Sequence, residues 1–268
     1  MEQLARTSIS NIAWPKEAEE EALQLIGELG FAGIELAPGK VFSSRTALGE
    51  ARDYRRQAAD RGLEVVAFQA LLFGDLDVAL FGTAAQRDAL AEHLRAIARL
   101  AGAAGAKACV FGAPKVRARH GLPESEAFEQ AVAFFDTLAT AYEAEGVALA
   151  VEANAAHYGC DFLTHTEQAV ALVKAVNRPG IRLQLDTGTL LLNDEAAEEI
   201  GKAVPWAAHF HASEPDLLPL ASPRHKAFGA ALGAAGYKGW RSIEMRTSEP
   251  WQRAIGRARD LMMDCYRA

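Results

Sequence analysis

Four short strand-like runs each end in a side chain that can hold a metal ion or move a proton. The runs at residues 147–151, 181–185, 206–210 and 240–243 are followed by Glu152, Asp186, His211 and Glu244, respectively. Three carboxylates and one imidazole, with no thiolate, suit Mn²⁺, Mg²⁺ or Co²⁺ better than structural zinc. The four residues are therefore predicted to share one divalent metal site, with Mn²⁺ as the favoured ion.

Each of these residues also has a simpler interpretation when it is taken alone. A glutamate at the end of a strand is often a cap or a salt-bridge partner, and a single histidine is more often packed than a ligand. Four such residues at the ends of four strands would require four coincidences, which favours a shared site. His209 is predicted to point to the opposite side of its strand from His211, as a supporting or packed residue.

The spacing of these residues indicates how the elements that position them are arranged. The separations are 34, 25 and 33 residues, close to the roughly 30 residues of one unit in a (β/α)₈ barrel of ~250 residues. Strand-like runs alternate with helix-period segments eight times along the chain, a pattern typical of parallel strands with crossover helices. A single TIM-barrel domain is predicted over residues 1–268. The first four strands are predicted at residues 7–13, 33–36, 63–69 and 108–111, and the helices at 15–30, 46–61, 84–104, 124–145, 166–177, 193 or 194 to 201, 224–235 and 250–266.

Composition narrows the function classes. The chain has 268 residues, 50% of them hydrophobic, and no apolar run approaches the ~20 residues of a membrane helix. The N-terminus lacks the apolar core of a signal peptide, and three cysteines without a CxxC pair fit a reducing compartment, so a cytoplasmic protein is predicted. A net charge of −7 disfavours a nucleic-acid partner. Neither membrane association nor a nucleic-acid partner is expected, and a homo-oligomer stays open.

The loop after the fourth predicted strand, residues 112–120, is the most basic segment of the chain. Barrel loops at this end of the strands face the catalytic mouth. Lys115 and Arg117 are therefore candidates for binding an anionic or polyhydroxyl substrate. A solvated loop explains the same charges equally well, because lysine and arginine ordinarily populate exposed loops.

At the four strand ends the chain resembles the sugar isomerase/epimerase superfamily of xylose-isomerase-like barrels, which includes ketose 3-epimerases and hydroxypyruvate isomerase. The motifs that carry the resemblance are VEAN with Glu152, QLDTG with Asp186, HFHASE with His211 and Glu214, and SIEMR with Glu244. The resemblance implies that Glu152, Asp186, His211 and Glu244 form the metal quartet. It also implies that Glu152 and Glu244 move protons through a metal-bound enediolate of a small sugar, with Glu214 on the substrate side.

Three positions depart from the ketose-epimerase pattern. Thr189 stands where these enzymes have a histidine, and Leu217 stands where they often carry a substrate-binding arginine. Residues 155–161 replace a glutamate-bearing loop, in which His157 or Tyr158 could supply a proton donor or a stacking surface for the substrate. The identity of the sugar therefore does not follow from the resemblance.

The leading function is divalent-metal-dependent isomerisation or epimerisation of a sugar or sugar derivative. A metal-dependent lyase or dehydratase acting on a keto-sugar with the same site is the alternative, and conservation of mass distinguishes the two. An apurinic-site-endonuclease-like nuclease is disfavoured, because its three-metal cluster needs more histidines and acids. A non-catalytic sugar-binding barrel is weaker still, since a cluster of like charges is costly to retain without a function.

Overall fold

The computed structural model describes residues 4–266, in which eight parallel strands form a closed barrel. Each strand pairs with the next along the chain, and β1 closes the barrel on β8 through Thr7 beside Arg241 and Ser8 beside Ser242. The predicted (β/α)₈ fold is confirmed. The strands are β1 Leu4–Ser10, β2 Phe31–Leu36, β3 Glu64–Phe68, β4 Ala108–Phe111, β5 Ala148–Glu152, β6 Ile181–Asp186, β7 Ala207–Ser213 and β8 Arg241–Glu244.

Helices connect the strands on the outside of the barrel, as parallel neighbours require. Within the described residues they are α1 Glu19–Glu28, α2 Pro38–Val41, α3 Leu48–Ala59, α4 Ala84–Ala104, α5 Glu124–Ala144, α6 Thr166–Val176, α7 Thr187–Leu192, α8 Glu198–Ala203, α9 His225–Ala234 and α10 Trp251–Cys265. Short 3₁₀ turns lie among them, for example at Asn11–Ala13 and Pro215–Leu217.

Helix α4 shows why these segments form where they do. Thr83 accepts a hydrogen bond from the Gln86 backbone in a capping box, and Gly105 ends the helix in the left-handed conformation. Apolar residues recur at three- and four-residue steps along this helix and are fully buried against the barrel, namely Leu90, Leu94, Ile97 and Leu100. Both α4 and β4 have the predicted bounds.

Several predicted bounds differ by a few residues from the observed ones; the first helix, for example, was predicted at 15–30 and is α1 at Glu19–Glu28. Two of the differences have a clear physical cause. Strand β1 ends at Ser10, because Asn11–Ala13 turns as a 3₁₀ helix whose first turn is capped by the Ser10 side chain. The helix predicted to start at residue 193 or 194 is wrong, since α7 already begins at Thr187 and a separate α8 follows. The physical reason is Asp186, whose side chain accepts a hydrogen bond from Thr189 N and caps α7 at the end of β6.

The barrel interior is closed near the amino-terminal ends of the strands. Ala108, Ala208 and Trp240 pack there with Val66. Gly33 makes room for this layer, since a Cβ at that position would lie 2.5 Å from Val66 Cγ1. The interior is thus open towards the carboxyl-terminal ends of the strands.

Cys109 is fully buried in the main core. Among the helices that the structure describes, none combines the length and the apolar character needed to cross a membrane.

Candidate metal centre and active site

The structure brings the four predicted ligands together at the carboxyl-terminal ends of β5 to β8. One ligand atom from each of Glu152, Asp186, His211 and Glu244 lies within 4.8 Å of the others. Strand register explains the convergence, because Asp186 pairs with His211 across β6 and β7 and Glu244 pairs with Ser213 on β7. All four side chains therefore face one small volume, and we call them the quartet.

His211 offers the quartet a buried nitrogen. Its Nδ1 lies 3.1 Å from Glu244 Oε2 and 3.8 Å from Glu152 Oε1. Among the described residues this atom has no acceptor or donor at hydrogen-bonding geometry. Such orphaned buried polar atoms are rare in proteins. A divalent cation between the three carboxylates and Nδ1 would satisfy it, and this donor set of oxygens and one imidazole fits such an ion.

Glu35 on β2 orients the His211 ring from the other side. Both carboxylate oxygens of Glu35 lie 3.0 Å from His211 Nε2, and both side chains are fully buried. When the ring is neutral and Nε2–H donates to the Glu35 carboxylate, Nδ1 is unprotonated and directed at the quartet, which is the usual arrangement behind a metal-binding histidine. The sequence analysis did not single out Glu35, although a glutamate inside the apolar run of β2 was a signal for it.

His209 belongs to the same support. Its Nε2 lies 3.4 Å from Glu35 Oε2, and its ring centroid is 5.2 Å from that of His211. The prediction that His209 points away from His211 is wrong, because residues two apart on a strand share one face. Both histidines point into the barrel, and His209 is a supporting residue on the Glu35 side.

Burial and like charge set the protonation of the quartet. Burial, together with the negative charges of Asp186 and Glu244, raises the pKa of Glu152 to about 8. Burial and then Glu244 also raise the pKa of Asp186. Burial alone would raise the pKa of Glu35 as well, but the charges and hydrogen bonds of His211 and His209 outweigh it and lower that pKa. The quartet without a cation thus retains protons that a divalent ion would displace.

Asn154, Arg117 and Gly112 together determine where the Glu152 carboxylate lies. Asn154 Nδ2 donates to Glu152 Oε2 at 2.7 Å, and Arg117 donates to the Glu152 carbonyl at 2.9 Å and to Asn154 Oδ1 at 2.6 Å. Gly112 leaves space for the carboxylate, since a Cβ there would lie 2.5 Å from Glu152 Oε2.

Asp186 is oriented by Thr189 on α7 and by Ser213 at the end of β7. Its Oδ1 accepts a hydrogen bond from Thr189 N at 2.8 Å, and its Oδ2 accepts one from the Ser213 hydroxyl. The Thr189 hydroxyl donates to the Ala153 carbonyl at 2.9 Å. Thr189, which stands where the resemblance expects a histidine, thus connects α7 to the end of β5.

Above the quartet lies a cavity of about 530 Å³. Of the predicted substrate-binding residues, Lys115 and Glu214 line it. Glu214 also accepts hydrogen bonds from Ala221 N at 2.7 Å and from His225 Nε2 at 3.1 Å, so part of its carboxylate holds the seventh loop.

Two predicted substrate-binding residues lie elsewhere. Arg117 is fully buried behind the wall of the cavity, where its guanidinium binds the end of β5, contrary to the prediction that it contacts substrate. His157 lies outside the cavity, with Nε2 2.9 Å from Asp216 Oδ1. Its neighbour Tyr158 reaches the cavity instead.

Comparisons with known proteins agree with this architecture. A family model described as a xylose isomerase-like TIM barrel matches residues 23–265. No curated protein sequence matches the chain significantly.

Similar solved structures include several sugar epimerases. A D-psicose 3-epimerase with D-tagatose from Clostridium cellulolyticum H10 is 16% identical, with a TM-score of 0.81 and coverage of 98% of this chain and 100% of that one. The E. coli 3-keto-D-glucoside 4-epimerase YcjR is 14% identical, with a TM-score of 0.77 and coverage of 96% and 99%. An IOLI protein with a bound zinc atom is 17% identical, with a TM-score of 0.75 and coverage of 97% and 98%. At these identities the similarity shows the fold, and together with the family match it places the chain in the xylose isomerase-like TIM-barrel family.

Proposed function

We propose that this protein is a divalent-metal-dependent isomerase or epimerase of a sugar or sugar derivative. The observation that carries the proposal is the quartet, in which three carboxylates lie around His211 Nδ1, an atom without a hydrogen-bond partner among residues 4–266. The similarity to the solved structures of a D-psicose 3-epimerase and a 3-keto-D-glucoside 4-epimerase supports the reaction class.

Glu152, Asp186, His211 and Glu244 would hold the metal, with Mn²⁺ favoured and Mg²⁺ or Co²⁺ as alternatives. A bound divalent cation would supply Lewis-acid stabilisation of the negative charge that develops on the carbonyl oxygen of the substrate. Glu35 and His209 keep the His211 ring in the orientation that this requires.

Glu152 and Glu244 move the protons. They come from β5 and β8, which are separated by β6 and β7, so they flank the centre from two sides. Both line the cavity. One removes the proton from the carbon beside the carbonyl, and the other donates a proton to carbon, which gives the product.

The test is reaction of the Mn²⁺-loaded protein with a panel of ketoses and keto-glycosides in deuterium oxide. The expected product has the carbon skeleton and composition of its substrate, with one solvent deuterium on the reacting carbon. Mass spectrometry detects the deuterium, and loss of water would indicate the lyase alternative. Conversion at an unchanged rate in metal-free buffer, verified by elemental analysis, would contradict the proposal.

A further inference from the structure

The outer part of the cavity is apolar, in contrast to the charged quartet below it. Its wall comes from the end of β4 and from the loops after β3, β4 and β7, which together contribute Leu71, Leu72, Phe111, Pro114, Val116 and Leu217. A cavity of about 530 Å³ lies within the ~300–1,000 Å³ typical of sites for drug-sized ligands. The wall therefore offers a second contact region beside the polar one.

The cavity provides little for a phosphate group. Of its described lining residues, Lys115 alone carries a positive charge, and its side chain is exposed. Arg117, the other cation of this loop expected in the cavity, is buried behind it and committed to Glu152 and Asn154. Tight phosphate recognition ordinarily uses bidentate arginine or several donors. The charge distribution favours a neutral substrate.

Leu217 is held firmly in this wall. Leu217 and Asp216 both have positive φ, at 54° and 58°, a conformation that persists in non-glycine residues only when the surroundings enforce it. Arg246 N donates to the Leu217 carbonyl at 2.7 Å, and Asp216 N donates to the Tyr158 hydroxyl at 2.9 Å. Contacts among the loops after β5, β7 and β8 thus hold a leucine in the cavity wall.

From this arrangement we infer that the substrate is an unphosphorylated keto-sugar that carries an apolar substituent, such as an aryl aglycone. Its carbonyl and neighbouring hydroxyl face the quartet, and its apolar substituent packs against Leu71, Val116 and Leu217. This inference rests on the proposed function for the orientation of the sugar. The wall itself is a feature of the loops and is independent of the chemistry at the quartet.

The test compares binding of two keto-glycosides, one with a methyl and one with a phenyl aglycone, to the Mn²⁺-loaded protein by titration calorimetry. Burial of an aromatic ring predicts about 10- to 100-fold tighter binding of the phenyl compound. Fructose 6-phosphate should bind more weakly than the phenyl compound. Equal binding of the two glycosides, no binding of either, or tighter binding of fructose 6-phosphate would overturn the inference.

A matched pair of variants locates the preference. Leu217→Arg should reduce the phenyl-over-methyl ratio by at least about 10-fold, because a guanidinium at this position removes the apolar contact. Leu218→Arg changes the next residue, which is 45% exposed and outside the cavity lining, and should leave the ratio unchanged. A Leu217→Arg variant with the wild-type ratio would overturn the assignment of the wall.

Failure of the inference and failure of the proposed function give different results. Solvent deuterium incorporated into the methyl and phenyl glycosides at equal kcat/KM, with equal affinity, would refute the apolar wall and leave the isomerase assignment intact. A strong phenyl preference in binding, without metal-dependent conversion or exchange in any compound, would refute the isomerase assignment and retain the wall.

Discussion

The floor of the cavity, which is the quartet, and its apolar wall are built by different means. The floor consists of strand-end side chains whose positions follow from barrel register, and Glu35, Asn154 and Ser213 fix their orientation. The wall consists of loop residues whose positions depend on contacts between loops, such as that between Arg246 and Leu217. The difference indicates that the floor determines the type of reaction, whereas the wall determines which substrate binds.

The largest expected effect comes from the two glutamates of the floor. Glu152→Gln and Glu244→Gln retain shape and an oxygen ligand but remove the proton-accepting charge, so each should lower kcat by about 10²- to 10⁴-fold. Metal content, measured by elemental analysis, should fall much less. A folded, metal-loaded glutamine variant with near wild-type turnover would assign the proton transfers elsewhere.

Gly112 tests whether the floor tolerates displacement. Gly112→Ala places a Cβ 2.5 Å from Glu152 Oε2, so the carboxylate must shift, and a misplacement of about 1 Å can cost roughly 10²-fold in rate. Steady-state kinetics measure the loss. The control is Gly49→Ala, where no atom lies within 4 Å of the added Cβ. Unchanged kcat in Gly112→Ala would show that the position of Glu152 is not critical.

Substitution of Glu35 tests whether this residue positions His211 for metal binding. Glu35→Gln weakens the acceptor that fixes His211, and loss of such a partner typically costs about 10- to 100-fold in metal affinity. Titration with Mn²⁺ measures the change. Glu64→Gln on the neighbouring strand β3 is the control, because Glu64 is exposed. Equal Mn²⁺ affinity of the Glu35→Gln variant and the wild type would exclude the positioning role.

The smallest effect is a dependence of stability on pH that the metal should remove. The pKa of Glu152 is raised from 4.5 to about 8, so its stabilising contribution is complete below pH 4.5 and is lost as pH rises through about 8. The raised pKa of His211 acts in the same direction, and the lowered pKa of Glu35 matters only in acid. The Tm of the metal-free protein should fall from pH 5 to pH 8, and saturating Mn²⁺ should reduce this slope. Identical slopes with and without Mn²⁺ would contradict the assigned protonation.

The sequence allowed prediction of the floor much better than of the wall. The quartet was recognisable because each of its residues follows a strand-like run, and the runs have the spacing of units in a (β/α)₈ barrel. The start of α7 was missed because Asp186 is both a strand-end acid and a helix cap.

The remaining errors concern contacts between residues distant in the chain. Residue type alone suggested a solvent- or substrate-facing Arg117, but its partners Glu152 and Asn154 lie 35 and 37 residues away and bury it. The positive φ of Leu217 likewise depends on neighbouring loops. Local sequence patterns carry little information about such tertiary contacts.

The metal assignment is tested most directly by measuring the Mn²⁺ bound to the purified chain with elemental analysis and electron paramagnetic resonance. One Mn²⁺ per wild-type chain is expected, with greatly weakened binding in Asp186→Ala and His211→Ala, because each substitution removes a ligand. Activity should disappear on chelation and return when Mn²⁺ is added. A wild-type chain that binds no divalent metal, or two variants that bind it as tightly as the wild type, would contradict the assignment of the quartet.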